Sequence, residues 1–339
     1  LPAVSLRFFT RLTRLLQRLP FMSTLPPPSQ AEHVSSVSKV GKRLRRTFWA
    51  LVGFGLLATV GVATACWVLL QRTPGHYFDA DGVRLFYTDR GTGEPVILLH
   101  GFGVNADLNW RITGVAPYLE REFRVIALDQ RGFGLSDTPT DPRQYGAEMA
   151  RDVVRLMDHL GIEKAHVAGY SLGGYVALKL AVMYPERLRS VACLGAGWQD
   201  PSRPDTEALF ASFERFARQL ESGHGVEPLS VVFGQGVHQA TLFHRLQVKL
   251  VTTFLGNKKA LAALVRSVRD LSVTREELQA LEVPLLVVCG DRDPNFVSAQ
   301  ALREAKPECI FVPVSGRSHP GTAMSQELRS ALHAFLREH

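Results

Sequence analysis

Residues 164–174 read Lys164-Ala165-His166-Val167-Ala168-Gly169-Tyr170-Ser171-Leu172-Gly173-Gly174. The apolar run Ala165–Ala168 predicts a buried strand, and Val176, Leu180 and Met183 recur at helical spacing after Leu172. Between the two stands Gly169-x-Ser171-x-Gly173, a strand bending sharply into a helix with a serine at the bend. A serine hydroxyl is a weak nucleophile unless its oxygen is held out of the sheet, near a base and beside N–H donors. The glycines are expected to have a steric role, because a side chain at either position would collide with a neighbouring strand or helix in so tight a turn. The competing reading is an ordinary strand–turn–helix in which Ser171 caps the helix.

Working outward from that bend, the segment after Pro74-Gly75 is a series of short apolar runs separated by helical stretches. Val83–Tyr87 alternates and reads as an edge hairpin partner. Pro95–His100, Arg124–Asp129, Lys164–Tyr170, Ser190–Ala196, Pro284–Gly290 and Cys309–Val314 are nearly continuous apolar runs, as parallel strands covered on both faces require. Glu148–Leu160 carries Met149, Val153, Leu156, Met157 and Leu160 at helical spacing. The alternation predicts an α/β fold with a mostly parallel, doubly wound sheet, whose ligands bind beyond the carboxyl ends of the strands. From Trp198 to about Arg275 the alternation stops. Helical stretches at Glu207–Leu220 and Gln239–Phe254, with a short strand candidate at Ser230–Phe233, predict a helical cap inserted after the sixth strand. Its phenylalanines, Phe210, Phe213, Phe216, Phe233, Phe243 and Phe254, are expected to serve mainly in packing, with a few lining a pocket.

Three further features bear on Ser171. His100-Gly101-Phe102-Gly103 follows the run Pro95–His100; its glycines let the backbone approach a reacting carbonyl. The N–H of Phe102 would then pair with that of Leu172 as an oxyanion hole. Gly290-Asp291-Arg292-Asp293-Pro294 offers an acid after its strand; Asp293 is preferred over Asp291, and Asp200 is a rival. Among the 11 histidines, His319 lies in Gly316-Arg317-Ser318-His319-Pro320 after the last strand, where a base is needed, whereas His159 and His166 fall inside a helix and a strand. The order Ser171, Asp293, His319 is that of a Ser…Asp…His triad.

Residues 76–339 resemble the α/β-hydrolase fold family through HGFG, LDQRGFGLSD, AGYSLGG, GDRDP and GRSHP, all in the family's order. The resemblance is greatest to membrane-anchored or secreted esterases and monoacylglycerol-lipase-like members. It implies hydrolysis of carboxylic esters, a small ester or lipid-like substrate, and neither a metal nor an organic cofactor. It also implies that Asp129–Ser136 supports the site without doing chemistry. Epoxide hydrolases and haloalkane dehalogenases carry an Asp nucleophile where this chain has Ser171, and the His-Gly-Gly-Pro-Gly loop of proline iminopeptidases is absent. Carbon–carbon bond hydrolases and cofactor-free perhydrolases remain open, although Pro320-Gly321-Thr322 after His319 departs from the aromatic and polar residues typical of the former. A non-catalytic ligand-binding protein on the same fold is a further alternative, but such proteins usually lack a triad member, and here all three candidates are present.

The N-terminal part reads differently. Residues 1–46 hold nine Lys or Arg against Glu32 alone, a charge of +8, while residues 47–339 sum to −1. The overall +7 therefore gives no support to nucleic-acid binding by the main domain. Residues 1–21 are basic and amphipathic, as in an organelle presequence or a membrane-surface helix, and Met22 is a candidate true start. Residues 23–38 are rich in Pro and Ser and read as flexible. Residues 47–70 hold no charge, and as a helix would span about 36 Å, enough for a bilayer core of about 30 Å. With Lys42–Arg46 before the run, the expectation is a transmembrane anchor with the main domain on the non-cytoplasmic side, periplasmic or extracellular. Secretion after signal cleavage at Ala63-Thr64-Ala65 is the rival. Cys66, Cys193, Cys289 and Cys309 show no metal-ligand spacing, and free buried thiols are expected.

Overall fold

The computed structural model describes residues 72–222 and 257–339, together with residues 47, 49, 52, 53, 59 and 61. The chain divides into two units, Leu1–Leu70 and Gln71–His339. In the first unit the described residues are helical. A membrane crossing needs roughly 20 consecutive apolar helical residues, and no helix among the described residues is long and apolar enough to cross a membrane. The expected placement of the main domain on the non-cytoplasmic side of a membrane, which rested on an anchor at 47–70, is corrected on that finding. Most of that run lies outside the described residues.

In the second unit eight strands form one sheet: β1 (His76–Asp79), β2 (Arg84–Arg90), β3 (Pro95–Leu99), β4 (Arg124–Asp129), β5 (Ala165–Tyr170), β6 (Leu188–Leu194), β7 (Leu285–Gly290) and β8 (Ile310–Val314). Their order is β1-β2-β4-β3-β5-β6-β7-β8. β1 pairs antiparallel with β2 and β2 with β4, and every other pair is parallel. The apolar runs follow from cover on both faces. Val96 and Leu98 of β3 join Ala168, Ala192 and Val288 in one core, while Ile97 and Leu99 join Val167, Cys193 and Val287 in the other. Successive residues thus serve opposite layers, and neither face can be polar. The sequence reading missed β1 and placed β2 at the edge; of the four residues of β1 only Phe78 is buried, which leaves almost no apolar signal.

Helices on the two layers are α1 (Val115–Leu119), α2 (Ala147–His159) and α3 (Leu172–Met183). The insertion between β6 and β7 holds α4 (Pro204–Ser222), α5 (Lys258–Ser267), a 3-10 turn at Val268–Leu271 and α6 (Arg275–Gln279). Among the described residues of this insertion there is no strand; the expected helix 239–254 and strand 230–233 lie outside them. The chain closes with α7 (Phe296–Ala305), α8 (His319–Ala323) and α9 (Gln326–Glu338). Trp198 Nε1 donates to the Val273 carbonyl (2.7 Å) and Arg275 pairs with the buried Asp200 (2.9 Å), tying the two ends of the insertion together, while Lys179 Nζ on α3 donates to the Ser272 carbonyl (2.9 Å) and fastens the insertion to that helix. Cys193, Cys289 and Cys309 are free and buried.

His166, 2% exposed on β5, is 2.8 Å through Nδ1 from the Ser190 hydroxyl. Burial first, then the charges of Arg189 and His339, push its pKa down to about 4. The unfolded chain takes up this proton near pH 6.5 while the folded chain does not, so stability is lost as pH falls from about 6.5 toward 4, by about 3 kcal/mol at most. Denaturant unfolding across that range is expected to show the loss, and His166→Asn to remove it. An equal acid slope in both proteins would contradict this assignment.

Candidate active site

The bend after β5 is held open by what is missing from its glycines. A Cβ on Gly169 would stand 1.9 Å from the Gly173 carbonyl oxygen, and one on Gly173 would stand 2.1 Å from the Leu99 carbonyl oxygen. Ser171 itself takes φ 53°, a left-handed conformation that costs a non-glycine residue roughly 1–3 kcal/mol. It stands at the N-cap position of α3, yet its side chain makes no capping hydrogen bond. The capping explanation of this serine therefore fails. Its amide donates to the Leu194 carbonyl (2.8 Å), tying the bend to the end of β6.

The loop after β3 lies against the bend. A Cβ on Gly101 would be 3.3 Å from the Ser171 Cβ. The Gly101 amide is held by Asn109 Oδ1 (2.9 Å). His100, fully buried, accepts at Nε2 from the Gln130 amide (3.0 Å) and donates from Nδ1 to the Gly101 carbonyl (2.8 Å). Burial is the main influence pushing its pKa down, so it stays neutral and braces the loop. The amides of Phe102 and Leu172 donate to no protein acceptor among the described residues, and both residues line one cavity with Ser171. Below the loop, Asp129 accepts from the amides of Ala106 and Leu135 (2.9 Å each), as a supporting role for residues 129–136 requires.

Asp293 and His319 meet. His319 Nδ1 is 2.7 Å from Asp293 Oδ2, and the Asp293 side chain is fully buried. The other Asp293 oxygen accepts from the Asn295 amide (2.9 Å). Asp291 instead binds the Gly316 amide (2.7 Å) and the Ser315 hydroxyl (3.2 Å), shaping the turn that carries His319. Asp200 is committed to Ser202 and Arg275. Tyr170, the residue before Ser171, donates its phenol proton to the His319 carbonyl. Asn109, Tyr170 and Asn295 were invisible from the sequence because each works through a contact between side chain and backbone, or backbone and side chain, that no local motif records.

A cavity of about 180 Å³ opens beside Ser171. Its walls include Phe102, Leu178, Phe210, Phe213, Val265 and Leu271, and among the described residues no charged side chain lines it. Nor, among those residues, do three His, Cys, Asp or Glu side chains cluster as metal ligands would.

The model of the alpha/beta hydrolase fold family matches residues 94–310. A 2-hydroxy-6-oxo-6-phenylhexa-2,4-dienoate hydrolase of Comamonas testosteroni is 41% identical over 121 residues, covering 35% of this chain and 42% of that protein. The dihydrolipoyllysine-residue acetyltransferase component of the acetoin cleaving system of Pseudomonas putida is 31% identical over 251 residues, 73% of this chain and 64% of that one. The matches thus span 42% and 64% of the length of these curated relatives. Among solved structures, a thermophilic esterase from Thermogutta terrifontis (malate bound) shares 26% identity with a TM-score of 0.60, covering 79% of this chain and 98% of that one.

If Asp293 orients His319, Asp293→Asn should slow fluorophosphonate labelling of Ser171 by about 10⁴-fold through the wrong imidazole tautomer. Asp200→Asn should leave the labelling rate near that of the parent. Equal losses in the two variants would reverse the assignment of the acid.

Proposed function

The chain belongs to the α/β-hydrolase fold family, and from that premise we propose that it is a serine hydrolase cleaving carboxylic esters with an apolar acyl group. Ser171 attacks the ester carbonyl. His319 takes the hydroxyl proton and passes it to the departing alcohol, while Asp293 holds the imidazole in orientation. The N–H groups of Phe102 and Leu172 receive the developing oxyanion; one such donor is typically worth about 3 kcal/mol in the transition state. Water, deprotonated by His319, then releases the acid from the acyl-enzyme.

The observation that carries the ester reading is the cavity wall. It is mostly apolar, with Tyr175, Gln199, Ser272 and Asn295 as polar members beside Ser171, and among the described residues it is uncharged. Such a wall favours a neutral substrate, since an unpaired carboxylate buried there would be expelled or neutralised.

A second reading is hydrolysis of a carbon–carbon bond, and the sequence relatives back it better than they back ester cleavage. Besides the Comamonas testosteroni enzyme, a 2-hydroxymuconate semialdehyde hydrolase of a Pseudomonas species is 41% identical over 162 residues. Both chemistries begin at a carbonyl carbon. They differ in what leaves, and in the need to hold the carboxylate of a dienoate.

The two readings separate on substrate panels. The ester reading predicts turnover of p-nitrophenyl esters with kcat/KM rising from acetyl to medium-length acyl groups, and loss of that turnover in Ser171→Ala. A protein inert on every ester yet active on 2-hydroxy-6-oxo-dienoates would overturn it in favour of carbon–carbon cleavage.

A further inference from the structure

We propose that Tyr170 is a positioning residue for the general base, acting through the hydrogen bond from its phenol to the His319 carbonyl. The inference rests on the serine-hydrolase reading above.

The need for such a contact is set by the topology. Ser171 follows β5, in the middle of the sheet, whereas His319 opens α8 just past the turn after β8, the outermost strand on that side. Two strands, β6 and β7, separate them, so no main-chain ladder bonds β5 to β8. The bonds from Asp291 to Ser315 and Gly316, and from the Arg292 amide to the Arg317 carbonyl (3.1 Å), tie the base-bearing turn to the loop after β7. They do not reach the elbow. Tyr170 does: it is the last residue of β5, 4% exposed, and its hydroxyl binds the main chain of the residue that carries the imidazole. Its ring also lies against that imidazole, tilted by 47° with centroids 5.1 Å apart.

The slot for this phenol is built by other parts of the site. Gly195 has φ 54°, and a Cβ there would come within 2.7 Å of Tyr170 Cζ and 2.8 Å of its hydroxyl oxygen. Two bonds fix Gly195. Its amide donates to the Val288 carbonyl (2.8 Å), and its carbonyl accepts from Asn295 Nδ2 (2.9 Å). The same Asn295 caps Asp293 through its amide. Trp110 presents its ring nearly perpendicular to Tyr170, centroids 6.3 Å apart. Acid loop, elbow and base turn are therefore joined in one ring of contacts with the phenol at its centre. Burial, and next the charge of Asp293, push the Tyr170 pKa well up, which keeps the phenol a neutral donor.

Tyr170→Phe keeps the ring and removes the donor. The expected result is a roughly tenfold fall in kcat, with KM within about twofold of the parent and an equal fall in the rate of fluorophosphonate labelling, at little change in Tm. Gly195→Ala, which pushes the phenol aside, should also lower kcat, yet add little when combined with Tyr170→Phe, because both act on one contact. Tyr170→Phe with parent-like kcat would overturn the proposal. So would a fall in kcat matched by loss of the folded state, or full additivity of the two substitutions in a folded double variant. A parent protein that neither labels nor turns over any carbonyl substrate would instead sink the serine-hydrolase reading beneath it.

Discussion

A single backbone conformation governs this structure: Ser171 at φ 53°, wedged between a strand and a helix that approach too closely for any side chain at Gly169 or Gly173. The strain is local, and what holds it is not. The bend is pinned by the bond from the Ser171 amide to β6, by the packing of α3 against Leu99, and by the full burial of β5 between two apolar layers. A serine in a relaxed turn would cap the helix with its own hydroxyl. Here the hydroxyl makes no such bond, and among the described residues the amide of Leu172, which lines the cavity beside Ser171, has no acceptor.

The rest of the site follows from where parallel strands end. β3, β5, β7 and β8 deliver His100–Gly103, Ser171, Asp293 and His319 to one rim of the sheet, as a doubly wound fold requires. The rim is made rigid by side chains that reach across it to the backbone. His100 links the loop after β3 to the end of β4, Asn295 links the acid loop to β6, and Tyr170 links the elbow to the base turn. The insertion after β6 then supplies apolar walls. On the proposed reading, the rim sets the chemistry, and α4, α5 and the turn between α5 and α6 set the choice of substrate.

Much of this was legible in the chain. β4 and α3 match their expected bounds: burial on both sides leaves an unbroken apolar run in the strand, and α3, buried nearly all round, is apolar through most of its length. Asp293 is expected over Asp291 from its distance past the strand end, and it is Asp293 that stands against His319. Other features left no trace. β1 buries a single residue. Tyr170 acts on a main-chain carbonyl 149 residues away, and a phenol preceding a serine looks like any core tyrosine. The charge-free run at 47–70 read as an anchor from composition alone, and no membrane-crossing helix appears among the described residues.

The central claim is that Ser171 and the amides of Phe102 and Leu172 converge on one reacting atom. A crystal structure of the protein after reaction with an alkyl fluorophosphonate tests this directly. The account predicts phosphorus bonded to Ser171 Oγ, with the phosphonyl oxygen about 2.7–3.1 Å from both amide nitrogens. An adduct on another residue, or a phosphonyl oxygen turned away from both amides, would contradict it.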